Sequence, residues 1–217
     1  MDIDVRTPEN TAIVLIDYVS GFAPLIASQT IADNTAGGRA LAQTAAAFDV
    51  PLIVSVGPER DPRGVLYPEI AEALAGRPPQ HRGLTFDAFE DEEFSSAVHA
   101  TGRRHLVVAG LMTDGCITHT VLSALRRGYE VSIVADATAS TSVTAHETAM
   151  ARFGQLGVTP RTWMSLASEF QKSYANTETL AAYREIQANL PGYAMLNATL
   201  GNAREIFTTA AASNSGR

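Results

Sequence analysis

Short apolar runs alternate with amphipathic helical patterns along most of this 217-residue chain. Runs rich in Val, Ile and Leu indicate strands that are covered on both faces. Four such runs are Thr11–Asp17, Pro51–Gly57, His105–Leu111 and Glu130–Asp136, and Val158–Trp163 fits a short edge strand. Repeated β–α alternation predicts a parallel sheet with right-handed crossovers and helices on both faces. The sequence therefore predicts an α/β, Rossmann-like fold of three layers.

One α/β domain is predicted to span residues 1–175. After about Asn176 the pattern weakens, so residues 176–217 are predicted to form a C-terminal helical extension. Such a segment either packs on the domain, packs on a neighbouring subunit or frays. The proline-rich stretch Gly57–Gly83 reads as a long loop with one helical turn, and long loops in compact domains are often functional.

Charge and composition exclude several classes of function. A net charge of -7 gives no electrostatic support for nucleic-acid binding. No apolar run approaches the roughly 20 residues that span a bilayer, and the acidic N-terminus is unlike a signal peptide. A single cysteine cannot form an internal disulfide, and no glycine-rich dinucleotide motif follows the first strand. We expect a cytoplasmic protein without a cofactor, a membrane partner or a nucleic-acid partner.

The single cysteine, Cys116, follows the predicted strand His105–Leu111 and precedes a helical pattern. Ligands of open parallel sheets bind at the carboxyl ends of the strands. The N–H groups at a helix start stabilise a thiolate and lower its pKa below the free value of about 8.5. The alternative is a buried cysteine that acts as a small apolar residue. His119 could serve as its base, or it has a supporting or interface role.

Asp17 ends the apolar run of the first predicted strand. If that strand neighbours His105–Leu111, Asp17 and Cys116 face the same crevice at the switch point of the sheet. Asp17 could then accept the thiol proton and return it to a leaving group. The alternative is that Asp17 caps a turn or a helix.

Three segments together resemble the isochorismatase-like cysteine hydrolases: TAIVLIDYVSGF, FDAFEDEEF and LVVAGLMTDGCITHTVLSALRRGYEVSIVADATAS. The resemblance covers about Thr11 to Phe170. It implies a six-stranded parallel sheet and hydrolysis of small amides or related acyl compounds through a thioester on the cysteine.

The resemblance also assigns roles to residues of the predicted site. Asp17 would be the acid/base and Cys116 the nucleophile. A cis peptide at Leu111–Met112 would aim the backbone N–H groups of Met112 and Cys116 at the oxyanion. Thr113 and Asp114 would cap the helix that carries the nucleophile.

Two departures from the family pattern bear on the predicted mechanism and on the branch of the family. Arg82 stands where the family has a catalytic lysine, and the chain's only lysine is Lys172. Arg82 either stabilises developing negative charge or only pairs with Asp17. The segment SVGPERDPRGVLYPEI lacks the histidine of nicotinamidase metal sites, so no metal is expected. True isochorismatases lack the cysteine, which leaves the metal-free YcaC-like branch.

The sequence thus predicts a cysteine-dependent hydrolase of a small amide or acyl substrate, with Asp17, Arg82 and Cys116 as catalytic residues. A pocket wall is predicted from Phe22, Phe86, Phe89 and His119. The alternative is a catalytically weakened or non-catalytic oligomeric protein that binds ligands or senses thiol oxidation. Because relatives form tetramers or octamers, a homo-oligomer is expected.

Overall fold

A computed structural model describes the backbone of residues 5–214 and the side chains of residues 5–203. The strands are β1 (Thr11–Ile16), β2 (Leu52–Val56), β3 (Gln80–His81), β4 (His105–Leu111), β5 (Glu130–Ala139) and β6 (Thr159–Arg161). The helices are α1 (Ile31–Ala47), α2 (Pro68–Ala73), α3 (Glu92–Ala100), α4 (Thr118–Arg126), α5 (Val143–Gln155), α6 (Trp163–Gln171), α7 (Thr177–Gln187) and α8 (Pro191–Asn214).

The six strands form one parallel sheet in the order β3-β2-β1-β4-β5-β6. This confirms the predicted fold class. The chain moves outward from β1 through β2 and β3, and then returns to β4 on the other side of β1. The strand order reverses between β1 and β4, where open sheets of this kind bind ligands. The predicted pairing of these two strands is confirmed, with Ile16 opposite Gly110.

Helices cover both faces of the sheet. Ile13 and Leu15 of β1 point into a core shared with α1, α6 and α7, while Ala12, Val14 and Ile16 point into a second core shared with α3, α4 and α5. Because successive side chains of a strand alternate between faces, one apolar run serves both cores. The uninterrupted apolar sequence of β1 reflects this double burial.

The sheet edge at β3 was missed by the sequence interpretation, which read Gly57–Gly83 as a loop. β3 has only two residues, and they pair with Ser55 and Val56 of β2. Two residues give no detectable periodicity, so only the long-range pairing identifies this strand. It sets the position of Arg82, which follows it directly.

The later helices differ in detail from the predicted ones. Trp163 begins α6 rather than ending a strand, and Thr162 caps this helix through Ser165. Tyr183 and Ile186 of α7 are buried in the core shared with α1 and α6. α8 follows at Pro191. Within the described residues, no helix is both long enough and apolar enough to span a membrane.

Gly110 permits a close approach of β1 and β4 beside the point where the strand order reverses. Its φ is +139°, and a Cβ atom there would overlap the carbonyl oxygen of Ile16. An L-residue is strained at this φ, and the obstructing atom is backbone that cannot rotate away.

We therefore expect Gly110→Ala to destabilise the protein by about 2–4 kcal/mol, since it combines backbone strain with overpacking. Urea unfolding would measure the difference. Gly154→Ala is the control: this α5 residue has open space around its Cα, so helix propensity should change stability by about 1 kcal/mol or less. Equal stability of the Gly110 variant and the wild type would contradict the overlap.

Candidate active site

The predicted site residues follow neighbouring strands along one edge of the sheet. Arg82 follows β3, Ser55 lies near the end of β2, Asp17 follows β1, and the segment after β4 carries Cys116. Since all the strands are parallel, these positions lie at the same, carboxyl edge. The structure therefore brings Asp17, Arg82 and Cys116 together.

Asp17 and Arg82 form a buried, bidentate ion pair. Nη1 and Nη2 of Arg82 donate to Oδ1 and Oδ2 of Asp17 at 2.7 and 2.6 Å. Each side chain is 1% exposed. Nη1 also lies 3.3 Å from the Ser55 hydroxyl, so the guanidinium reaches across the end of β2. Such fork-to-fork pairing fixes both the plane and the charge of the carboxylate.

The backbone at Asp17 turns sharply out of β1. Its φ is +57°, a left-handed conformation that aspartate tolerates better than most residues. The N–H of Asp17 still donates to the Ser55 carbonyl at 2.9 Å, and its carbonyl accepts from the N–H of Val19 at 2.7 Å. The carboxylate is thereby fixed at the end of the strand.

Cys116 lies in a wide helical turn, Thr113–Ile117, between β4 and α4. The Leu111–Met112 peptide before it is cis, as the family resemblance implied. Within the turn, Gly115 departs from helical geometry with φ -108° and ψ -114°. The N–H of Ile117 closes the turn on the Met112 carbonyl at 3.3 Å. Cys116 itself is 5% exposed.

Thr113 and Asp114 do not cap the following helix, which corrects the sequence prediction. The Thr113 hydroxyl lies 2.8 Å from Nδ1 of His146, and the Asp114 carboxylate accepts a hydrogen bond from the Ser140 hydroxyl. Their side chains tie the turn to α5 and to the segment after β5. The position of Cys116 thus depends on contacts distant in sequence rather than on local capping.

The expected lowering of the Cys116 pKa is also wrong. The pKa of the thiol is raised to about 12, chiefly by burial and further by the charge of Asp17 and hydrogen bonding to it. Arg82 and Arg63 act in the opposite direction without overcoming these effects. The thiol is therefore protonated at neutral pH, and the Asp17 carboxylate is near enough for its charge to disfavour the thiolate.

The predicted pocket residues lie in different surroundings. Phe22 is half-buried beneath the guanidinium of Arg63, 5.4 Å from its ring centroid. Phe86 is 66% exposed and stacks on the exposed His119 at 5.6 Å. Phe89 is 4% exposed and contacts Phe94 in the core. A role in substrate binding stays a prediction for these residues.

Two charged residues near the site were missed by the sequence interpretation. Asp61 and Arg63 form an ion pair in the segment between β2 and α2, with Nη2 of Arg63 2.5 Å from Oδ2 of Asp61. Arg63 interacts electrostatically with both Asp17 and Cys116. The sequence signal is weak, because both residues lie in the segment that corresponds to the family's metal site, and nothing in its pattern indicates an ion pair.

Other concave regions lie elsewhere on the molecule. Cavities of about 640, 460 and 410 Å³ are present, and none of these three is lined by Asp17, Arg82 or Cys116. Among the residues whose side chains are described, no three His, Cys, Asp or Glu converge as a metal site requires.

Comparison with known proteins identifies the family of this chain. The isochorismatase domain profile matches residues 11–165. The chain belongs to the isochorismatase family of hydrolases. It is 30% identical over 173 residues to the probable hydrolase YcaC of Escherichia coli, covering 79% of this chain and 83% of that protein.

Two solved structures of family members superpose closely on the chain. YcaC from Pseudomonas aeruginosa, which contains hexane-2,5-diol and covalent acrylamide, matches with a TM-score of 0.86 and 29% identity. That match covers 93% of this chain and 99% of the other. YcaC from E. coli, described as an octameric hydrolase of unknown specificity, matches with a TM-score of 0.86 and 26% identity, covering 94% and 99%. Both support the YcaC-like branch of the isochorismatase family.

We expect Asp17→Asn to lower the pKa of Cys116. The negative charge of Asp17 disfavours the thiolate, and its removal leaves Arg82 free to stabilise it. The rate of iodoacetamide alkylation, followed against pH, should rise at lower pH in the variant than in the wild type. Exposed Asp33, changed to Asn, is the charge-matched control and should leave the profile unchanged. A shift of the Asp17 variant to higher pH would contradict the coupling.

Proposed function

We propose that the protein is a cysteine hydrolase of small amides, acting through a thioester on Cys116. The observation that carries the proposal is the buried ion pair of Asp17 and Arg82 at the carboxyl edge of the sheet, where both charges act on the buried Cys116 thiol. A nucleophile that contacts a base, which is in turn oriented by a third group, is the arrangement that covalent catalysis requires.

In the first half-reaction, Sγ of Cys116 attacks the amide carbonyl carbon while the thiol proton passes to Asp17. The thiol is protonated before attack, so transfer of its proton accompanies formation of the carbon–sulfur bond. Backbone N–H groups of Met112 and Cys116 are the proposed donors to the oxyanion. The carbon–nitrogen bond then breaks, and Asp17 gives the proton to the departing nitrogen.

In the second half-reaction, Asp17 accepts a proton from water while the water oxygen attacks the thioester carbonyl. The carbon–sulfur bond breaks, the sulfur recovers the proton from Asp17, and the carboxylic acid leaves. One amide and one water are consumed, and one acid and one ammonia or amine are formed. Asp17 carries every proton in this scheme.

Arg82 is proposed to orient Asp17 and to balance its charge, not to transfer protons. A guanidinium keeps its protons at all accessible pH values. With both Asp17 oxygens engaged, the remaining lone pairs of the carboxylate are held in a fixed plane, where one can receive the thiol proton.

The relatives supply independent support. The P. aeruginosa structure contains covalently bound acrylamide, a compound that reacts with nucleophiles such as thiolates and is itself a primary amide. A redox-sensing role is less well supported, because sensor cysteines have low pKa values and are accessible, whereas Cys116 is buried with a raised pKa.

We also propose that the protein is a homo-oligomer, a tetramer or an octamer. The E. coli relative is described as octameric. α8 leaves apolar side chains at the surface, with Met195 71%, Leu196 48% and Leu200 46% exposed, as expected of a subunit interface.

We expect Cys116→Ala to abolish amide hydrolysis while leaving the fold intact, because alanine fills the same buried position without a nucleophile. Product release from a panel of small primary amides would measure activity. Mass spectrometry of acid-quenched wild type should detect a thioester on Cys116 that is absent from the variant. Undiminished hydrolysis by Cys116→Ala would exclude covalent catalysis, and ligand binding without any adduct would favour a binding protein.

We expect Arg82→Lys to lower kcat/KM by about tenfold or more, since a single ammonium cannot hold both Asp17 oxygens. Lysine is a better test substitution at this position than a neutral residue. Removing the positive charge would leave Asp17 buried and unpaired and would lower the stability of the fold by about 3–5 kcal/mol. Steady-state kinetics, together with a thermal unfolding curve, would separate activity from stability. A large gain in activity would show that the native arginine restrains the reaction.

A further inference from the structure

The pair of Asp61 and Arg63 lies beside the site, but the proposed reaction does not use it. Nε of Arg63 donates to Oδ1 and Oδ2 of Asp61 at 2.8 and 2.7 Å. Arg63 also interacts electrostatically with Asp17 and Cys116. Arg63 therefore adds a second guanidinium to the electrostatic surroundings of Cys116.

The backbone holds Arg63 against the segment that follows Asp17. The N–H of Gly21 donates to the Arg63 carbonyl at 2.5 Å, and the N–H of Ser20 donates to the Val65 carbonyl at 2.9 Å. Val19 and Leu66 form an antiparallel bridge next to these bonds. Arg63 is therefore fixed relative to the carboxylate rather than carried on a free loop.

Gly57, directly after β2, makes room for this ion pair. A Cβ atom at Gly57 would overlap both the Asp61 carboxylate and the Arg63 guanidinium. The two charged groups thus pack against the end of the strand next to β1. Asp61 and Arg63 therefore lie at the same edge of the sheet as Cys116.

The guanidinium of Arg63 has one occupied edge and one open edge. Asp61 occupies Nε and Nη2, and the ring of Phe22 lies over the plane. Within the described part of the chain, no acceptor bonds to Nη1. The open edge retains donors in the fork geometry that matches a carboxylate.

The open edge of Arg63 is more exposed to solvent than the other charged groups around it. The side chains of Asp17, Arg82 and Asp61 are 1%, 1% and 3% exposed, whereas that of Arg63 is 30% exposed. A molecule that enters the site therefore contacts the Arg63 guanidinium, whereas the carboxylate of its partner Asp61 is buried. An anionic group is therefore attracted here, although the whole chain has a net charge of -7.

We infer that Arg63 determines substrate specificity by binding a carboxylate carried on the same molecule as the scissile amide. The substrate class is then a monoamide of a short dicarboxylic acid, or a compound with the same two groups. This inference rests on the proposed amidase function and adds the chemical character of the substrate.

Three matched pairs of amides would test the inference: malonamate with propanamide, succinamate with butanamide, and glutaramate with pentanamide. In each pair the chain length is equal and only one member carries a carboxylate. We expect the wild type to favour the carboxylated member of at least one pair. Arg63→Gln should reduce that preference in kcat/KM by about ten- to a hundredfold, mainly through KM, since one charge-assisted contact is lost.

The control is Arg60→Gln, which removes the same charge from an exposed position on the same loop and should leave the preference unchanged. Arg63→Lys shows whether a loss in Arg63→Gln comes from the missing charge or from misfolding. It keeps the positive charge and should retain part of the preference for the carboxylated amide. A wild type without preference for carboxylates, or an Arg63→Gln variant with unchanged preference, would overturn the inference and leave the amidase proposal intact.

A binding measurement separates the two proposals. Calorimetry on Cys116→Ala with succinamate should show binding that Arg63→Gln, added to this variant, removes. Such binding without hydrolysis of any amide by the wild type would support the carboxylate site and refute the amidase. Binding that is equal with and without Arg63 would refute the carboxylate site.

Discussion

The buried pair of Asp17 and Arg82 is the constraint on which the site depends. Two opposite charges, each 1% exposed, are stable there only because each satisfies the other. Their meeting requires β3, β2 and β1 to lie side by side, since Arg82 follows β3 and reaches Asp17 past Ser55 of β2. The charged site therefore depends on a sheet that is complete as far as β3, although this strand has only two residues.

Burial and the neighbouring Asp17 carboxylate explain why the thiol is not a resting thiolate. The helix-start argument predicts a lowered pKa, yet burial and Asp17 raise the pKa of Cys116 to about 12. That rise corresponds to roughly 4 kcal/mol against the thiolate, more than the 0.3–1 kcal/mol usual for a charge near a helix end. Burial outweighs the dipole because water is excluded from the sulfur. A protonated thiol beside its own base can still react, provided that attack and proton transfer occur together.

The sequence predicted the parallel sheet and two residues at its carboxyl edge, Asp17 and Cys116. Both the strands and these two residues are recognisable from the local sequence. β1 and β4 are apolar runs, and a carboxylate at the end of one and a cysteine after the other interrupt those runs at recognisable places. The resemblance supplied Arg82. Asp61 and Arg63 could not be found in this way, since their position depends on a loop pairing with the residues after Asp17. The direction of the thiol pKa was missed for a related reason: burial is a property of the whole fold, not of a helix start.

The two arginines limit how protons can move in this site. Neither guanidinium releases a proton, and hydrogen bonding to Arg63 lowers the pKa of Asp61, which stays ionised against its partner. Among the described side chains, Asp17 is then the carboxylate that acts on the Cys116 sulfur and can exchange protons with it. It must pass the thiol proton to the departing nitrogen before it can accept another from water. In the proposed reaction one carboxylate therefore serves both half-reactions, first for the thiol proton and then for the proton of water.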